Sequence, residues 1–490
     1  MGMMKKSGLC LLAVSLTVNV LFMYFAGQTM IDSDMANEML LARHLNETGR
    51  IVSADWLYTT EVRFFNIQWI FRVFLLLGMS MHMARTFSMA VVYALYAASA
   101  IYMLEKHGYG DERYAIAGLL LWPIGSMYWF LGIFGGCYVL YGAMAMFSLG
   151  LFKEENVRMH GLNCALAFLT GLNGIKQMMV FYMPLLVGCV LWQLKRKDMK
   201  ILKRAILLVI MNLAGIILNK ILFVNISYQS YGATKWNGTL WDASLDIVGM
   251  FKTWGDFLAL FGYQGGVKLF SFAGMASVVG CAIGLWCAYV IYMGIKDETM
   301  IWYFIVGALL VDGLAFANLD VQYNSSYWLV LYPFALAYAL SFVRKHSFLP
   351  FVVAIMFAFC STATLKREIE TPLRAKKGLY ETAQWLVENG HAQGYATFWN
   401  ADSAVEMTSG KLEIWSLNDY STPFSFSWAQ AASHKTMAPQ GEVFLIVDRS
   451  ERYLPGYSNV QGRKTVFANQ SYEILLFPSI EGMIATMSGK

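Results

Sequence analysis

Long runs of apolar residues, separated by short polar segments, fill most of the first 365 residues of this 490-residue chain. The runs are 12 to 27 residues long. A helix needs about 20 apolar residues to cross a bilayer, and fewer when its neighbours bury it. The pattern predicts a polytopic α-helical membrane protein with about eleven transmembrane helices, at residues 9–26, 86–104, 114–128, 136–152, 161–172, 178–194, 205–224, 269–295, 301–317, 327–343 and 348–364.

The amino-acid composition supports a membrane protein. Hydrophobic residues make up 57% of the chain and charged residues 14%, whereas about a quarter of the residues of soluble domains are charged. The mean hydropathy is +0.48. Seven cysteines lie in apolar stretches without a Cys-x-x-Cys motif, so they offer neither a disulfide framework nor a zinc site. The composition excludes a soluble globular enzyme and a disordered chain.

The distribution of charge divides the chain into two units. Residues 366–490 carry 12 of the 37 Lys and Arg and 13 of the 32 Asp and Glu. Residues 1–365 keep 25 basic and 19 acidic residues, which gives a net charge of +6. The second unit therefore has a soluble composition. Its periodicity predicts a small α/β domain with a helix at 378–389 and strands at 395–399, 412–417, 443–447 and 472–477.

Basic residues in the loops predict the orientation of the helices, because cytoplasmic loops carry an excess of Lys and Arg. If the helices alternate in direction, the N-terminus is cytoplasmic and the domain 366–490 is extracytoplasmic, as are the segments 28–85 and 225–268. The pattern indicates a multi-pass plasma membrane protein, and the cysteine-free tail favours a bacterial one. No nucleic-acid partner is expected. The cytoplasmic basic residues are then Lys5, Lys6, Lys106, Arg113, Lys153, Arg158, those of the cluster 195–204, Lys296, Arg344 and Lys345.

One apolar segment, 64–81, does not fit the alternation. It contains Arg72 and is flanked by Arg63 and Arg85. Counting it as a span would move the basic cluster 195–204 to the outside. We therefore expect this segment to form an amphipathic or re-entrant helix within residues 28–85, which we call the first outer segment.

Two carboxylates follow the first apolar run directly, in the order Asp32-Ser33-Asp34, and precede a helical stretch that Gly49 ends. Carboxylates at the mouth of a hydrophobic helix lose solvation, which suggests a functional role. The alternative is that Asp32 or Asp34 only caps the following helix. The triplet also matches the Asp-x-Asp pattern of nucleotide-sugar enzymes that bind manganese, but such triplets arise by chance in a chain of this size.

The first outer segment resembles that of the GT-C superfamily of membrane glycosyltransferases. This superfamily includes protein O-mannosyltransferases, aminoarabinose transferases and oligosaccharyltransferases. Many members carry an acidic residue followed by a short helix that ends in Gly, and here the matching residues are Asp34, Ala42-Arg43, Leu45 and Gly49.

Two further basic residues, Arg63 and Arg85, stand at positions comparable to basic residues of the superfamily. The chain departs from the pattern at Met35 and Asn37, where many members have Glu and Arg. The turn 126–135 lacks the acidic residues that metal-using oligosaccharyltransferases keep there. This departure weakens the case for a divalent metal, which the sequence permits but does not support, and no cofactor is predicted.

The resemblance implies transfer of a sugar from a polyprenyl-phosphate donor to a saccharide, lipid or protein acceptor at the outer face of the membrane. Because the lipid phosphate is a good leaving group, one carboxylate that acts as general base on an acceptor hydroxyl is sufficient. Asp34 is the expected base, with Asp32 in reserve. Arg63, Arg85 and Lys176 are the candidate ligands of the donor phosphate.

Several other polar residues have a structural alternative beside a functional one. Lys176 and Lys220 could extend to the lipid headgroups. Asp312 lies inside an apolar run, and its position favours a structural polar network. The turn 318–324 could line the donor pocket. The side chains of Trp236, Trp241 and Trp254 could stack against a bound sugar, or could form an aromatic belt at the membrane interface.

Other function classes compete with the glycosyltransferase. A transporter or flippase of a lipid-linked saccharide would show matching halves and more charges within the membrane. A polysaccharide polymerase or ligase would use the same lipid carrier. A mere membrane anchor for the outer domain would not need about eleven helices.

Overall fold

The computed structural model describes most of the chain. The described residues are 3–59, 61–226, 251, 254–255, 257, 259–263, 267–296, 299–318, 328–343, 349–371, 376–422 and 428–489. Most of the predicted outer segment 225–268, with Trp236 and Trp241, lies outside them, as do residues 319–324 of the predicted turn.

Helices occupy the positions of all eleven apolar runs. π-helical stretches at Tyr128–Phe134 and Met178–Tyr182 lead into two of them. The helices of the first 370 residues are α1 Met3–Ala26, α2 Ser33–Thr48, α3 Gln68–Leu76, α4 Met81–Lys106, α5 Glu112–Leu120, α6 Cys137–Phe152, α7 Val157–Gly171, α8 Met183–Arg196, α9 Met199–Leu222, α10 Phe272–Met293, α11 Met300–Asn318, α12 Tyr332–Val343 and α13 Leu349–Glu370.

Within the described residues, five helical segments are long and apolar enough to cross a membrane. A sixth is added if the two helices Tyr128–Phe134 and Cys137–Phe152, bent by 74°, form one broken span. The prediction of about eleven spans also counted shorter helices such as α5 and α12, because an apolar run alone does not distinguish a short buried helix from a full span. The five segments are Lys5–Thr29, Met81–Lys106, Met178–Arg196, Met199–Leu222 and Phe272–Met293.

The bend before α6 depends on glycine. Gly136 has a φ of +78°, and a Cβ there would lie 2.7 Å from atoms of both Ile67 and Met89. Only glycine combines this backbone conformation with such close packing. The bend brings the first outer segment, which contains Ile67, against the start of α6.

The first outer segment contains two helices outside the membrane-spanning set. Asp32 caps α2, and Gly49 ends it with a φ of +66°. α3 is nine residues long and therefore too short to span. It is amphipathic, because its polar residues Gln68 and Arg72 lie one turn apart on one face, while the apolar Val73 and Leu76 are exposed. These apolar side chains give the segment a surface suited to lipid.

The C-terminal unit is a five-stranded sheet with helices on both faces. The strand order is β3-β2-β5-β7-β6, in which β2 pairs in parallel with β3 and β5, and β7 pairs antiparallel with β5 and β6. The predicted small α/β domain is confirmed, although Phe398 and Trp399 form the start of a helix instead of the end of a strand. Its elements are α14 Lys377–Glu388, β2 Gln393–Thr397, α15 Phe398–Met407, β3 Glu413–Leu417, β5 Val443–Asp448, α16 Tyr457–Val460, β6 Phe467–Ala468, β7 Tyr472–Phe477 and α17 Ile480–Met487.

The C-terminal domain is docked on the first outer segment. A two-stranded sheet joins β1 (Trp56–Leu57) to β4 (Gln430–Ala431) of the domain. α15 packs along α2, and Ser33 and Ser403 approach each other with a hydroxyl–hydroxyl distance of 3.4 Å. The beginning of α2, where Asp32 and Asp34 lie, is therefore enclosed from the side of the domain.

Candidate active site

The two carboxylates at the start of α2 have different environments. Asp32 is the N-cap, and its side chain accepts a hydrogen bond of 3.0 Å from the backbone N–H of Met35. Asp34 lies in the first helical turn, and its side chain is accessible to solvent. No hydrogen bond or ion pair joins the Asp34 carboxylate to another residue in the part of the chain that the structure describes. Helix capping therefore explains the position of Asp32 but does not explain that of Asp34.

The surroundings of Asp34 disfavour the ionised form of its carboxyl, although the side chain is accessible to solvent. Desolvation by the surrounding protein raises the pKa of Asp34 to about 7, and the neighbouring carboxylates of Asp32 and Glu38 act in the same direction. The cations of Arg63 and Lys376 act in the opposite direction. A carboxyl that titrates near neutral pH is suited to general-base work, because the best catalytic pKa lies near the operating pH.

Arg63 approaches Asp34 from the segment between β1 and α3. Its guanidinium forms an ion pair with Glu38, one helical turn after Asp34, and a weak contact of 3.4 Å with the Thr59 hydroxyl. Burial disfavours the charge of Arg63, but Glu38 and the neighbouring Tyr141, Cys137 and Glu61 together hold its pKa above the ordinary value. Arg63 therefore remains a fixed cation beside the candidate base.

Lys176 begins the helical stretch that continues into Met178–Tyr182, and its ammonium group is close enough to Arg63 to sense its charge. Its ammonium group is 3.1 Å from the Tyr138 hydroxyl and 4.7 Å from the centre of the Tyr138 ring. The ring of Tyr141 lies at 5.9 Å. The structure thus brings two of the three candidate phosphate ligands, Arg63 and Lys176, together at the start of α6.

Arg85 has a different environment from the other two candidate ligands. Its guanidinium makes two hydrogen bonds, of 2.5 and 2.7 Å, to the carboxylate of Glu406 in α15, and a third of 2.9 Å to the carbonyl of Met35. It also lies over the ring of Phe71, and only 2% of its surface is exposed. These contacts hold three of the five N–H donors of a buried guanidinium and therefore give Arg85 a role in domain docking, while its role as a phosphate ligand stays a prediction.

Sequence reasoning missed the contribution of the C-terminal domain to the site. Lys376 is buried close enough to Asp34 to lower its pKa, and Asp402 of α15 senses the charge of Asp34 in turn. One signal was present in the sequence. Lys376 immediately precedes a helix, a position where the helix dipole disfavours a cation.

The remaining candidates lie away from Asp34. Lys220 is exposed, and the Trp254 indole donates a 3.2 Å hydrogen bond to the carbonyl of Leu309 in α11. Asp312 is fully buried in the same helix, and neither of its carboxyl oxygens has a hydrogen-bond partner among the described residues.

A cavity of about 850 Å³ lies between α2 and the C-terminal domain. The α2 residues Leu40, Arg43 and Glu47 line it, and their helical spacing puts them on the face turned away from Asp34. His434 forms part of the opposite wall. The cavity thus opens on the other face of α2, and Asp402, which senses the charge of Asp34, lies in its lining. Across the described ranges, no three His, Cys, Asp or Glu side chains converge in a way that would hold a metal ion.

Comparison with known proteins identifies the fold. No protein-family model matches the sequence, and no curated protein does. The crystal structure of ArnT from Cupriavidus metallidurans in the apo state aligns with 98% of this chain and 99% of its own, with a TM-score of 0.57 and 9% identity. ArnT bound to undecaprenyl phosphate aligns over the same shares, with a TM-score of 0.47 and 11% identity.

A second protein aligns over a smaller share of its own length. The Archaeoglobus fulgidus oligosaccharyltransferase, solved with a tethered acceptor peptide that contains the NVT sequon, aligns with 90% of this chain and 69% of its own. The TM-score is 0.50 and the identity 10%. At such identities the likeness concerns the fold. The chain is a multi-pass membrane protein with the fold of the GT-C glycosyltransferases, as its first outer segment predicted.

Proposed function

We propose that the protein is a membrane glycosyltransferase that moves a sugar from a polyprenyl-phosphate donor to a hydroxyl of an acceptor, with Asp34 as general base. The observation that carries the proposal is the Asp34 carboxyl itself. It is accessible, unpaired among the described residues, close to the cation of Arg63, and has a pKa of about 7. The resemblance of the segment from Asp34 to Gly49 to the GT-C pattern supports the same assignment.

The reaction requires one proton acceptor and one stabilised leaving group. Asp34 accepts the proton of the acceptor hydroxyl, whose oxygen forms a bond to the anomeric carbon of the sugar. The bond from that carbon to the phosphate oxygen breaks with its electron pair, and the lipid phosphate leaves. Since the phosphate takes up this charge well, no general acid is needed on the leaving side.

Arg63 is the preferred residue for the donor phosphate, with Lys176 beside it. A guanidinium has five N–H donors in a planar fork, so the ion pair with Glu38 leaves donors for an anion. The lipid chain can approach along α3, because Leu76 and Leu77 expose apolar surface there. A phosphate bound at Arg63 would lie on the same side of α2 as Asp34 and Glu38, which are one turn apart.

Loss of Arg63 should weaken donor binding. The protein in lipid nanodiscs is given a labelled-sugar polyprenyl phosphate with candidate hydroxyl acceptors, and donor affinity and sugar transfer are both measured. For Arg63→Ala we expect a donor affinity about ten- to a hundredfold lower, since a charge-assisted bond contributes about 1.5 to 3 kcal/mol. Arg50→Ala removes an exposed arginine paired with Asp55 and serves as the control.

Two results would count against these proposals. Absence of transfer by the unaltered protein with every polyprenyl-phosphate sugar and acceptor class would contradict the proposed function. Normal donor affinity in Arg63→Ala, with transfer intact in the unaltered protein, would remove only Arg63 from the donor site.

We also propose that the C-terminal domain is extracytoplasmic and the basic cluster 195–204 cytoplasmic. The proposal rests on the alternation of basic loops. Met199→Cys and Arg463→Cys replace exposed residues in the two regions. In whole cells, an impermeant maleimide should label the cysteine at position 463 and not the one at 199. The reverse result would invert the orientation, and permeabilised cells should show labelling at both.

A further inference from the structure

Lys376 is a buried lysine at an unfavourable position. It stands at the N-cap of α14, where it makes no capping hydrogen bond and where the helix dipole opposes a positive charge. Only 9% of its surface is exposed, and burial of a charge costs free energy unless the charge is compensated. A lysine in this position therefore calls for compensating partners.

The hydrogen bonds of Lys376 lead to the start of α2. Its ammonium group donates to the carbonyl of Trp399 and, at 3.3 Å, to the hydroxyl of Ser403. The Ser403 hydroxyl is in turn 3.4 Å from that of Ser33, the residue between Asp32 and Asp34. The contacts therefore cross the junction between the C-terminal domain and the first outer segment.

The charges around Lys376 come from three parts of the molecule. Asp32 and Asp34 belong to the start of α2, Asp448 ends β5, and Glu451 follows it. Burial lowers the pKa of Lys376, and these four carboxylates oppose that effect. The ammonium group is thus held among acids, of which Asp34 is the most exposed.

Without Lys376, the groups that disfavour the ionised form of Asp34 would be opposed by Arg63 alone among the cations that act on it. Asp32 and Glu38 act against its ionisation, as does the loss of solvent. Arg63 and Lys376 favour it. Arg63 is already paired with Glu38, so much of its field is compensated.

We propose that Lys376, contributed by the C-terminal domain, is a positioning residue of this site, whose ammonium group keeps Asp34 in the ionised form that accepts the proton of the acceptor hydroxyl. The inference rests on the proposed function. It also gives the domain a role in the reaction, because a domain that is not docked leaves Asp34 without this cation.

The test compares pH profiles of kcat/KM for sugar transfer between pH 5.5 and 9. Lys376→Gln removes the charge and keeps N–H donors for Trp399 and Ser403, and Lys376→Met removes both. An opposite charge nearby lowers the pKa of a carboxyl by about one unit or more. The acid limb of both variants should therefore move up by about one pH unit, with activity about tenfold lower at pH 6 and close to normal at pH 9. Lys376→Arg should restore the original limb.

A second measurement does not depend on activity. A water-soluble carbodiimide with an amine reacts with protonated carboxyls, and peptide mass spectrometry gives the pH midpoint of labelling at Asp34. This midpoint should rise by the same amount in Lys376→Gln and stay unchanged in Lys377→Gln, which alters the adjacent exposed lysine.

Three outcomes separate the inference from its alternatives. An unchanged labelling midpoint in the neutral variants would overturn it, and so would an equal loss of activity at every pH, which is the signature of a structural role. If the unaltered protein transfers no sugar, the proposed function fails, and the midpoint still decides whether Lys376 controls the ionisation of Asp34. Should one neutral variant not fold, the other decides with the same two readouts.

Discussion

Replacing Asp34 with asparagine should lower sugar transfer by about two to four orders of magnitude, the usual contribution of a general base. The amide keeps the size of the side chain but does not accept a proton at neutral pH. Because Asp32 and not Asp34 caps α2, the substitution leaves the beginning of the helix intact. The variant should therefore be inserted and folded normally. Transfer of labelled sugar from a polyprenyl-phosphate donor and an apparent melting temperature in nanodiscs measure the two properties.

Asp32→Asn is the matched control for this experiment. Asparagine caps a helix about as well as aspartate, so α2 should keep its N-terminus. Loss of the Asp32 charge should favour the ionised form of Asp34, because Asp32 is one of the groups that raise its pKa. We expect activity within about tenfold of normal, with the acid limb at a lower pH. Full transfer by Asp34→Asn, or an inactive Asp32→Asn beside an active Asp34→Asn, would move the base away from Asp34.

The sequence predicted the positions of the helices more closely than their lengths. Apolar length located a helix at each of the eleven predicted runs, since a buried or lipid-facing helix requires such a run. It did not distinguish the nine-residue α5 from a span, because burial by neighbouring helices permits short apolar segments. The four predicted strands of the C-terminal domain were placed to within about two residues, apart from the turn into α15 at Trp399.

Most residues of the site that the sequence identified lie in one segment of the chain, and Lys176 is the exception. Asp34 and Gly49 belong to one helix, and Arg63 follows within the same outer segment. Lys376 is more than 300 residues away, and only the docking of two units brings it to α2. A local pattern carries no information on such contacts, although the unfavourable charge at the start of α14 marked the residue as unusual.

Arg85 is a second residue whose main contact could not be predicted from the sequence, because its partner is distant in the chain. Its position at the beginning of a membrane helix suggested a phosphate ligand. Its partner Glu406 is 321 residues further along the chain, in the C-terminal domain. Both side chains are almost completely buried, with 2% and 1% of their surfaces exposed. The pair is thus a contact between the two units and is shielded from any ligand in solution.

Arg85→Ala should consequently destabilise the protein by about 3 to 5 kcal/mol, because it leaves the carboxylate of Glu406 buried without its partner. The backbone carbonyl of Met35 would lose a hydrogen bond as well. We expect a clearly lower apparent melting temperature and earlier proteolysis of the C-terminal domain. Arg50→Ala removes one partner of an exposed ion pair and should change stability by less than about 1 kcal/mol.

A double variant separates docking from donor binding. Arg85→Met combined with Glu406→Leu replaces the ion pair by apolar side chains of similar volume, a change that is often neutral or stabilising. The double variant should therefore recover most of the stability lost in Arg85→Ala and retain donor affinity, since Arg63 and Lys176 remain. A stable double variant that has lost donor affinity would show that Arg85 binds the phosphate after all, and that its pairing with Glu406 is exchanged for the ligand. Recovery of both properties would make Arg85 the residue that fixes the C-terminal domain, and with it Lys376, over Asp34.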